Sequence, residues 1–275
     1  MPRVYRANGL APPYTSTQIF AFSGYIACTG LFYASIALQS VGPATGVLAG
    51  AVGALSALVI ACYFIVSVVD PAEEARTALA RAVDWLCAAC YCFGRRYREK
   101  PWSTWCARCS KVVPGLDHHC PWLNTDIGRR NYAAFFGLAS LATAQFGTQA
   151  SVSVWIIARR WGEASVAARL VCVLHVSGAL ALFGAFGMLL VFHIYLVYRQ
   201  LTTYDFLIEM RNTQREQQTT QAREPAGAVT NADPKRVGQK GAALEITSST
   251  PPLLDAKGDP GAEDAAEAAA GAQTA

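Results

Sequence analysis

Residues 47–69 read VLAGAVGALSALVIACYFIVSVV, 23 positions without one Asp, Glu, Lys or Arg. A helix rising about 1.5 Å per residue needs roughly 20 apolar residues to cross about 30 Å of hydrocarbon, so this run reads as a membrane span. The charge-free stretch around it reaches back to Ala7, and two more follow at Asn131–Ala158 and Leu170–Tyr198. A water-soluble fold seldom tolerates three such stretches. Composition agrees: 53% of the 275 residues are hydrophobic and 15% charged. That balance excludes a cytosolic globular enzyme, a collagen-like or wholly disordered chain, and a small disulfide scaffold.

Working outward, four spans are expected, at about Ile19–Leu38, Val47–Val69, Tyr132–Ile157 and Leu170–Val197. The first two form a helical hairpin closed by Gln39–Gly46, with its turn-like Val41-Gly42-Pro43. The last two are joined across Arg159-Arg160-Trp161-Gly162-Glu163, whose charges and Trp suit an interface. The run beginning near Ile19 lacks the basic flank and small-residue cleavage site of a signal peptide and reads as a retained span. Lys and Arg set the orientation. The segments before the first span, between the second and third, and after the fourth hold 20 basic residues, against 3 on the other side. Both termini and the central loop are therefore expected in the cytosol.

The expected fold class is an all-α integral membrane protein: four transmembrane helices with a cytosolic, zinc-stabilised Cys-rich loop between the second and third. Its segments are residues 1–18 (cytosolic), 19–69 (two spans), 70–131 (the Cys-rich domain), 132–198 (two spans), 199–212 (juxtamembrane) and 213–275 (a disordered cytosolic tail). The tail is expected from its Gln, Thr, Pro, Ala and Gly content. Within the loop, Ala72–Trp85 reads as a short amphipathic surface helix. The Gly, Pro and Cys punctuation from Cys87 to Asn131 shows no sustained period and suggests order that depends on a metal.

Six of the nine cysteines, Cys87, Cys90, Cys92, Cys106, Cys109 and Cys120, crowd into that loop, a pattern of metal binding or thiol chemistry in a reducing compartment. Cys106-x-x-Cys109 is a knuckle able to grip one ion. A His ten residues on supplies a third donor, and Asp126 is available as a fourth. In Asp117-His118-His119-Cys120, an imidazole can take the thiol proton while a carboxylate fixes the imidazole's tautomer. Neighbouring residues of an extended chain point to opposite sides, so His118 and His119 can serve the thiol and the metal separately. The plainer alternative makes Cys120 one more metal ligand with Cys106, Cys109 and His119. Cys28, Cys62 and Cys172, inside spans, read as packing residues. His175 reads as packed or interfacial, and His193, close to the cytosolic end of the last span, reads as structural or else as facing the Cys-rich loop.

The run Asp117-His118-His119-Cys120-Pro121-Trp122, within a cytosolic Cys-rich loop and four spans, resembles the DHHC-type protein S-acyltransferases. Lys100-Pro101, Asn124, Gly128, Asn131 and Phe135 extend the likeness. So do Asp70-Pro71-Ala72, similar to an Asp-Pro-Gly motif, and Thr202-Thr203-Tyr204-Asp205, similar to a Thr-Thr-x-Glu motif. The resemblance implies that the Cys-rich domain is catalytic, with Cys120 as nucleophile, His118 as base and Asp117 as its orienter. It implies a fatty acyl-CoA co-substrate, most typically palmitoyl-CoA, and cysteine-containing membrane-associated proteins as acceptors, with no role for nucleic acid. Lys100, Arg108, Lys111, Arg129 and Arg130 either hold CoA phosphates or only satisfy orientation and anionic lipid.

Family members usually bind two zinc ions. Here Trp105 and Val112 stand at two ligand positions of one site, and Cys92 has its partner replaced by Arg95. Only Cys87-x-x-Cys90 at a shifted spacing could rebuild that site. The other site maps to Cys106, Cys109, His119 and Asp126, a carboxylate replacing the usual thiolate. One structural zinc per chain is expected. The location implied is an endomembrane (Golgi or endoplasmic reticulum) or the plasma membrane. Two rival readings are a catalytically impaired zinc-stabilised membrane adaptor and, much less in keeping with spans holding only two His, a small transporter or channel.

Overall fold

The computed structural model of the protein describes residues 5–39, 43–72 and 103–223. Lys100, Cys87, Cys90, Cys92, nearly all of the surface helix expected over 72–85, and residues 224–275 lie outside the described residues. In chain order the described elements are helices α1 (Ser16–Ala37) and α2 (Pro43–Val68), strands β1 (Ser103–Cys106), β2 (Lys111–Pro114), β3 (His118–Cys120) and β4 (Thr125–Ile127), then helices α3 (Tyr132–Arg160), α4 (Val166–Arg199) and α5 (Thr203–Arg223).

Helix ends follow local chemistry. Thr15 caps α1 by accepting from the Gln18 N–H at 3.2 Å, and Ser165 caps α4 by accepting from Ala168 at 3.2 Å. Pro43 opens α2, where a missing N–H costs nothing. Helix α4 stops at Gln200, whose left-handed φ of 55° lets Leu201 N–H turn back to the Leu196 carbonyl at 3.0 Å. Thr202 and Asp205 then form a reciprocal capping box for α5: the Asp205 carboxylate accepts from Thr202 N–H at 3.1 Å, and the Thr202 hydroxyl accepts from Asp205 N–H at 3.1 Å.

Helix α5 continues to Arg223, so residues 213–223 are helical, contrary to the disorder expected from residue 213 onward. Gln, Glu and Arg are good helix formers. The hydroxyls of Thr213, Thr219 and Thr220 donate to carbonyls one turn back, satisfying themselves without leaving the helix.

Three helical stretches, Ser16–Ala37, Thr45–Val68 and Val166–Arg199, are long and apolar enough to cross a membrane. Four had been expected. Helix α3 has the length, 29 residues, but is less apolar. Gln145, Gln149 and Ser153, four apart, form one fully buried stripe along it. Tyr25 of α1 donates to Gln145 Oε1 at 3.0 Å, and Gln145 donates to Thr29 Oγ1 at 3.3 Å. His175 of α4 lies 2.8 Å from Ser153 Oγ and 3.4 Å from Gln149 Oε1. These bonds tie α1, α3 and α4 together where apolar contact alone gives little direction. Helix α3 packs along α2 and α4, and α1 along α4.

Tyr25, Cys28, Val59, Val66, Tyr132, Phe135 and Phe146 form the helical core, which continues into Cys120, Leu123 and Ile127. The Cys-rich segment is thus seated on the helix ends. It is not free of regular structure: β1 and β2 pair antiparallel, as do β3 and β4, so the fold is mostly helical and not all-helical. Strands of three or four residues are too short to show an alternating pattern amid Gly, Pro and Cys.

Residues 5–17 strap this segment down. Arg6 N–H donates to the Cys109 carbonyl at 3.0 Å, Gly9 N–H to the Ser67 carbonyl at 2.7 Å, and the Thr15 and Thr17 hydroxyls to the Pro121 carbonyl at 3.1 and 2.9 Å. Gly9 passes so near the Leu123 carbonyl that any Cβ there would collide with it. Asp70 is the hub beneath the strap. Its carboxylate pairs with Lys111 Nζ at 2.7 Å and accepts from Tyr5 OH at 3.1 Å and Ala72 N–H at 2.9 Å. Both members of the Asp70–Lys111 pair are buried. Removing one leaves the other charge uncompensated. Asp70→Ala or Lys111→Ala is predicted to cost about 3–5 kcal/mol, and the Asp70→Asn/Lys111→Met double variant less than the two single losses combined. Thermal unfolding in detergent micelles measures both.

Candidate active site and metal centre

Strand β3 is only three residues long, yet its alternation sorts the whole site. His118 and Cys120 leave one face and His119 leaves the other. In the β3–β4 register His119 stands opposite Asp126. The knuckle meets them there: Cys106 ends β1, Cys109 lies in the turn, and Ser110 takes a positive φ of 51° to bring the chain into β2. Asp126 Oδ1 lies 2.8 Å from His119 Nδ1 and 3.0 Å from Cys106 Sγ, and Cys109 Sγ lies 3.4 Å from His119 Nδ1. One donor atom from each of the four residues lies within 4.8 Å of all the others.

So close a set perturbs itself. The Cys106 thiol falls to about 5, chiefly through its hydrogen bond with Cys109, against the opposing effect of burial. The Cys109 thiol is driven up by that same bond and by burial. Burial would lower the His119 imidazole, but bonds to Asp126 and Cys106 lift it to about 9. Burial would raise Asp126, but bonds to His119 and the two thiols hold its carboxyl below the usual range. Asp126 Oδ2 is buried with no hydrogen-bond partner among the described residues. Two sulfurs, an imidazole and a carboxylate with an orphaned oxygen fit a zinc ion, a tetrahedral cation that accepts N, S and O donors.

On the other face the Asp117 carboxylate, fully buried, accepts from His118 Nδ1 at 2.8 Å and from Thr203 Oγ1 at 2.6 Å through Oδ2, and from Thr203 N–H at 3.3 Å through Oδ1. The Asp117 carbonyl accepts from Tyr204 N–H at 2.9 Å. The carboxylate therefore faces the N-terminus of α5, where exposed N–H groups and the helix dipole favour negative charge. Burial would depress the His118 imidazole, but hydrogen bonds to Asp117 and Cys120 outweigh it and lift it to about 10. The result is a carboxylate, an imidazole inclined to carry a proton, and a thiol in sequence, the set of groups that nucleophilic thiol chemistry calls on.

Thr202, Thr203 and Asp205, expected from sequence as structural, cap α5 and anchor Asp117, while Asp70 and Pro71 close α2 against the loop. Among the basic residues expected near phosphate, Arg108 and Arg129 are exposed, and Arg130 donates to the Asp70 carbonyl at 2.8 Å. Lys111 is buried, paired with Asp70 and donating to the Ala7 carbonyl at 3.0 Å. Sequence reasoning missed the strap altogether, and for His193 it favoured a structural role over one facing the loop. His193 ends up beside His118, with ring centroids 5.8 Å apart. Its position nine residues before Thr202 was the available signal, because the end of α4 must lead to the helix that holds Asp117.

Residues 87–210 match the family model described as DHHC palmitoyltransferase. The chain is 32% identical over 141 residues to the Arabidopsis thaliana protein named probable protein S-acyltransferase 20, covering 46% of this chain and 19% of that one. It is 32% identical over 124 residues to human palmitoyltransferase ZDHHC18 (41% and 30%) and 31% identical over 144 residues to human palmitoyltransferase ZDHHC8 (49% and 18%). The matched stretch spans less than a third of these relatives. Over that stretch the chain is similar to the DHHC palmitoyltransferases, and it is a multi-pass membrane protein.

Thr203→Val would deprive the buried Asp117 carboxylate of its 2.6 Å hydrogen bond from the Thr203 hydroxyl. A charge-assisted bond contributes about 1.5–3 kcal/mol, so the variant is predicted to be destabilised by about that amount and Thr203→Ser by much less, as read from thermal unfolding.

Proposed function

We propose that this chain is a protein S-acyltransferase that moves a fatty acyl group, most typically palmitoyl, from acyl-CoA to cysteine thiols of membrane-associated proteins. The observation carrying this reading is the placement of Asp117, His118 and Cys120 together: the Asp117 carboxylate accepts from His118 Nδ1 at 2.8 Å, and His118 shares with Cys120 the face of β3 turned away from the metal-type cluster. In the first step the Cys120 thiolate attacks the thioester carbon, the bond from carbon to the CoA sulfur breaks, and CoA leaves with the proton held on His118. In the second, an acceptor cysteine gives its proton to His118 and attacks the acyl carbon, and Cys120 leaves as the thiolate. One thioester is exchanged for another, so the protein's task is to activate and position the thiol. Asp117 supports this by holding Nδ1 and leaving the other ring nitrogen for sulfur.

Cys106, Cys109, His119 and Asp126 would hold one zinc ion per chain, and the chemistry it supplies is structural, closing the two hairpins upon each other. The exposed Arg108 and Arg129 are the basic residues we assign to CoA phosphates. Helix α3 is proposed as a fourth span. The loop entering α3 and the α5 segment leaving α4 meet at Asp117, so a crossing by α4 requires a return through α3. The bias of Lys and Arg supports a cytosolic site and cytosolic termini on an endomembrane or plasma membrane.

Given labelled palmitoyl-CoA, the purified protein is predicted to acquire a hydroxylamine-sensitive label that Cys120→Ala abolishes; undiminished label in that variant would refute the assignment. His118→Ala should suppress labelling with zinc content near normal. Elemental analysis is predicted to find one zinc per chain, reduced in Asp126→Ala and retained in Asp126→Cys, since a thiolate is the softer and tighter ligand. Two tightly held ions would contradict the count.

A further inference from the structure

His193 is buried near the end of α4, and its environment is polar on a helix that is otherwise apolar. Its Nδ1 lies 2.9 Å from the hydroxyl of Tyr132, the first residue of α3, which is also buried. One ring nitrogen of His193 lies within 4.8 Å of ligand-type atoms of both Asp117 and His118. Phe135 completes the enclosure, presenting T-shaped contacts to His118 at 5.3 Å and to His193 at 4.9 Å. A metal ion is a poor occupant for the Asp117, His118 and His193 group, because Asp117 already accepts from Thr203 and His118, whereas Asp126 in the other cluster has a bare oxygen.

We infer that His193, held by Tyr132, is a positioning residue for the Asp117–His118 pair. The reasoning is geometric. The Asp117 bond fixes one nitrogen of His118 but leaves the ring free to swing about that contact. Phe135 blocks the swing from one side and His193 from another. Tyr132 in turn fixes the rotation of His193. The donor side of the site is thereby locked to the ends of α3 and α4, so His118 meets sulfur in one orientation. A displacement of about 1 Å at such a group can cost on the order of a hundredfold in rate.

This inference rests on the reading of His118 as the partner of Cys120, and its test carries a readout independent of acyl transfer. The rate at which iodoacetamide alkylates Cys120, followed on the Cys120 peptide by mass spectrometry, reports thiol activation directly. Acyl-enzyme formation from saturating palmitoyl-CoA reports the reaction. His193→Ala is expected to slow both by about 10- to 100-fold with the Michaelis constant for palmitoyl-CoA and the zinc content unchanged. His193→Gln, which keeps a hydrogen-bonding group toward Tyr132, should recover most of the rate, whereas the apolar volume filler His193→Leu should not. Tyr132→Phe should fall between wild type and His193→Ala. Full rates in His193→Ala, or equal recovery by Leu and Gln, would overturn the inference. If alkylation depends on His193 while wild-type protein forms no acyl-enzyme, the positioning role stands and the acyltransferase reading fails.

Discussion

In an extended chain each side chain leaves opposite to its neighbour, and the structure depends on that constraint at His118-His119-Cys120. A helix would have fanned the three residues around an axis. A three-residue strand divides them, sending His119 to the thiols and Asp126 while His118 and Cys120 share the other side. Because one peptide separates the two imidazoles, whatever stiffens the cluster around His119 also stiffens the backbone that presents His118. The β3–β4 pairing and the metal-type cluster are therefore one device, since Asp126 is both the cross-strand partner of His119 and a member of its donor set.

Buried charge is concentrated at the helix ends and is well partnered there. Asp70 meets Lys111, and Asp117 meets the first turn of α5. Each acid joins elements distant in sequence, Asp70 the end of α2 to the strap and to β2, Asp117 the start of β3 to α5. Desolvation makes such groups unforgiving of substitution, and the same property fixes the register of the parts they join. Between the helices, uncharged Gln145, Gln149, Ser153 and His175 supply direction without that cost.

The apolar runs were legible because bilayer thickness sets a length that composition can be measured against, and the helices begin and end within a few residues of the expected segments. The cluster of Cys106, Cys109, His119 and Asp126 was legible because a knuckle and a His at short separation leave little choice of geometry. Helix α3 was harder to grade, since its Gln and Ser face inward and lower the apolarity of a segment that packs between α2 and α4. The two hairpins were hidden by their brevity. Lys111 illustrates a general difficulty: a lysine in a basic loop looks solvent-facing until a distant acid, here Asp70, is found beneath it. Tyr132 was invisible for the same reason, and His193 could be placed near the loop but given no partner, as their meaning arises only when α3 and α4 bring them beside His118.

The strap also imposes an order of assembly. The Thr15 hydroxyl that donates to the Pro121 carbonyl is separated from it by 106 residues, and Lys111 from Ala7 by 104. At synthesis rates of roughly 5–20 residues per second, residues 5–17 wait about 5–20 s for the segment they will hold. The hairpin of α1 and α2 can settle in the bilayer during that interval, while the strap's amide and hydroxyl groups remain hydrated by water. Closure of the site is a late event, and a nascent chain carries an intact pair of helices well before it carries a folded thiol centre.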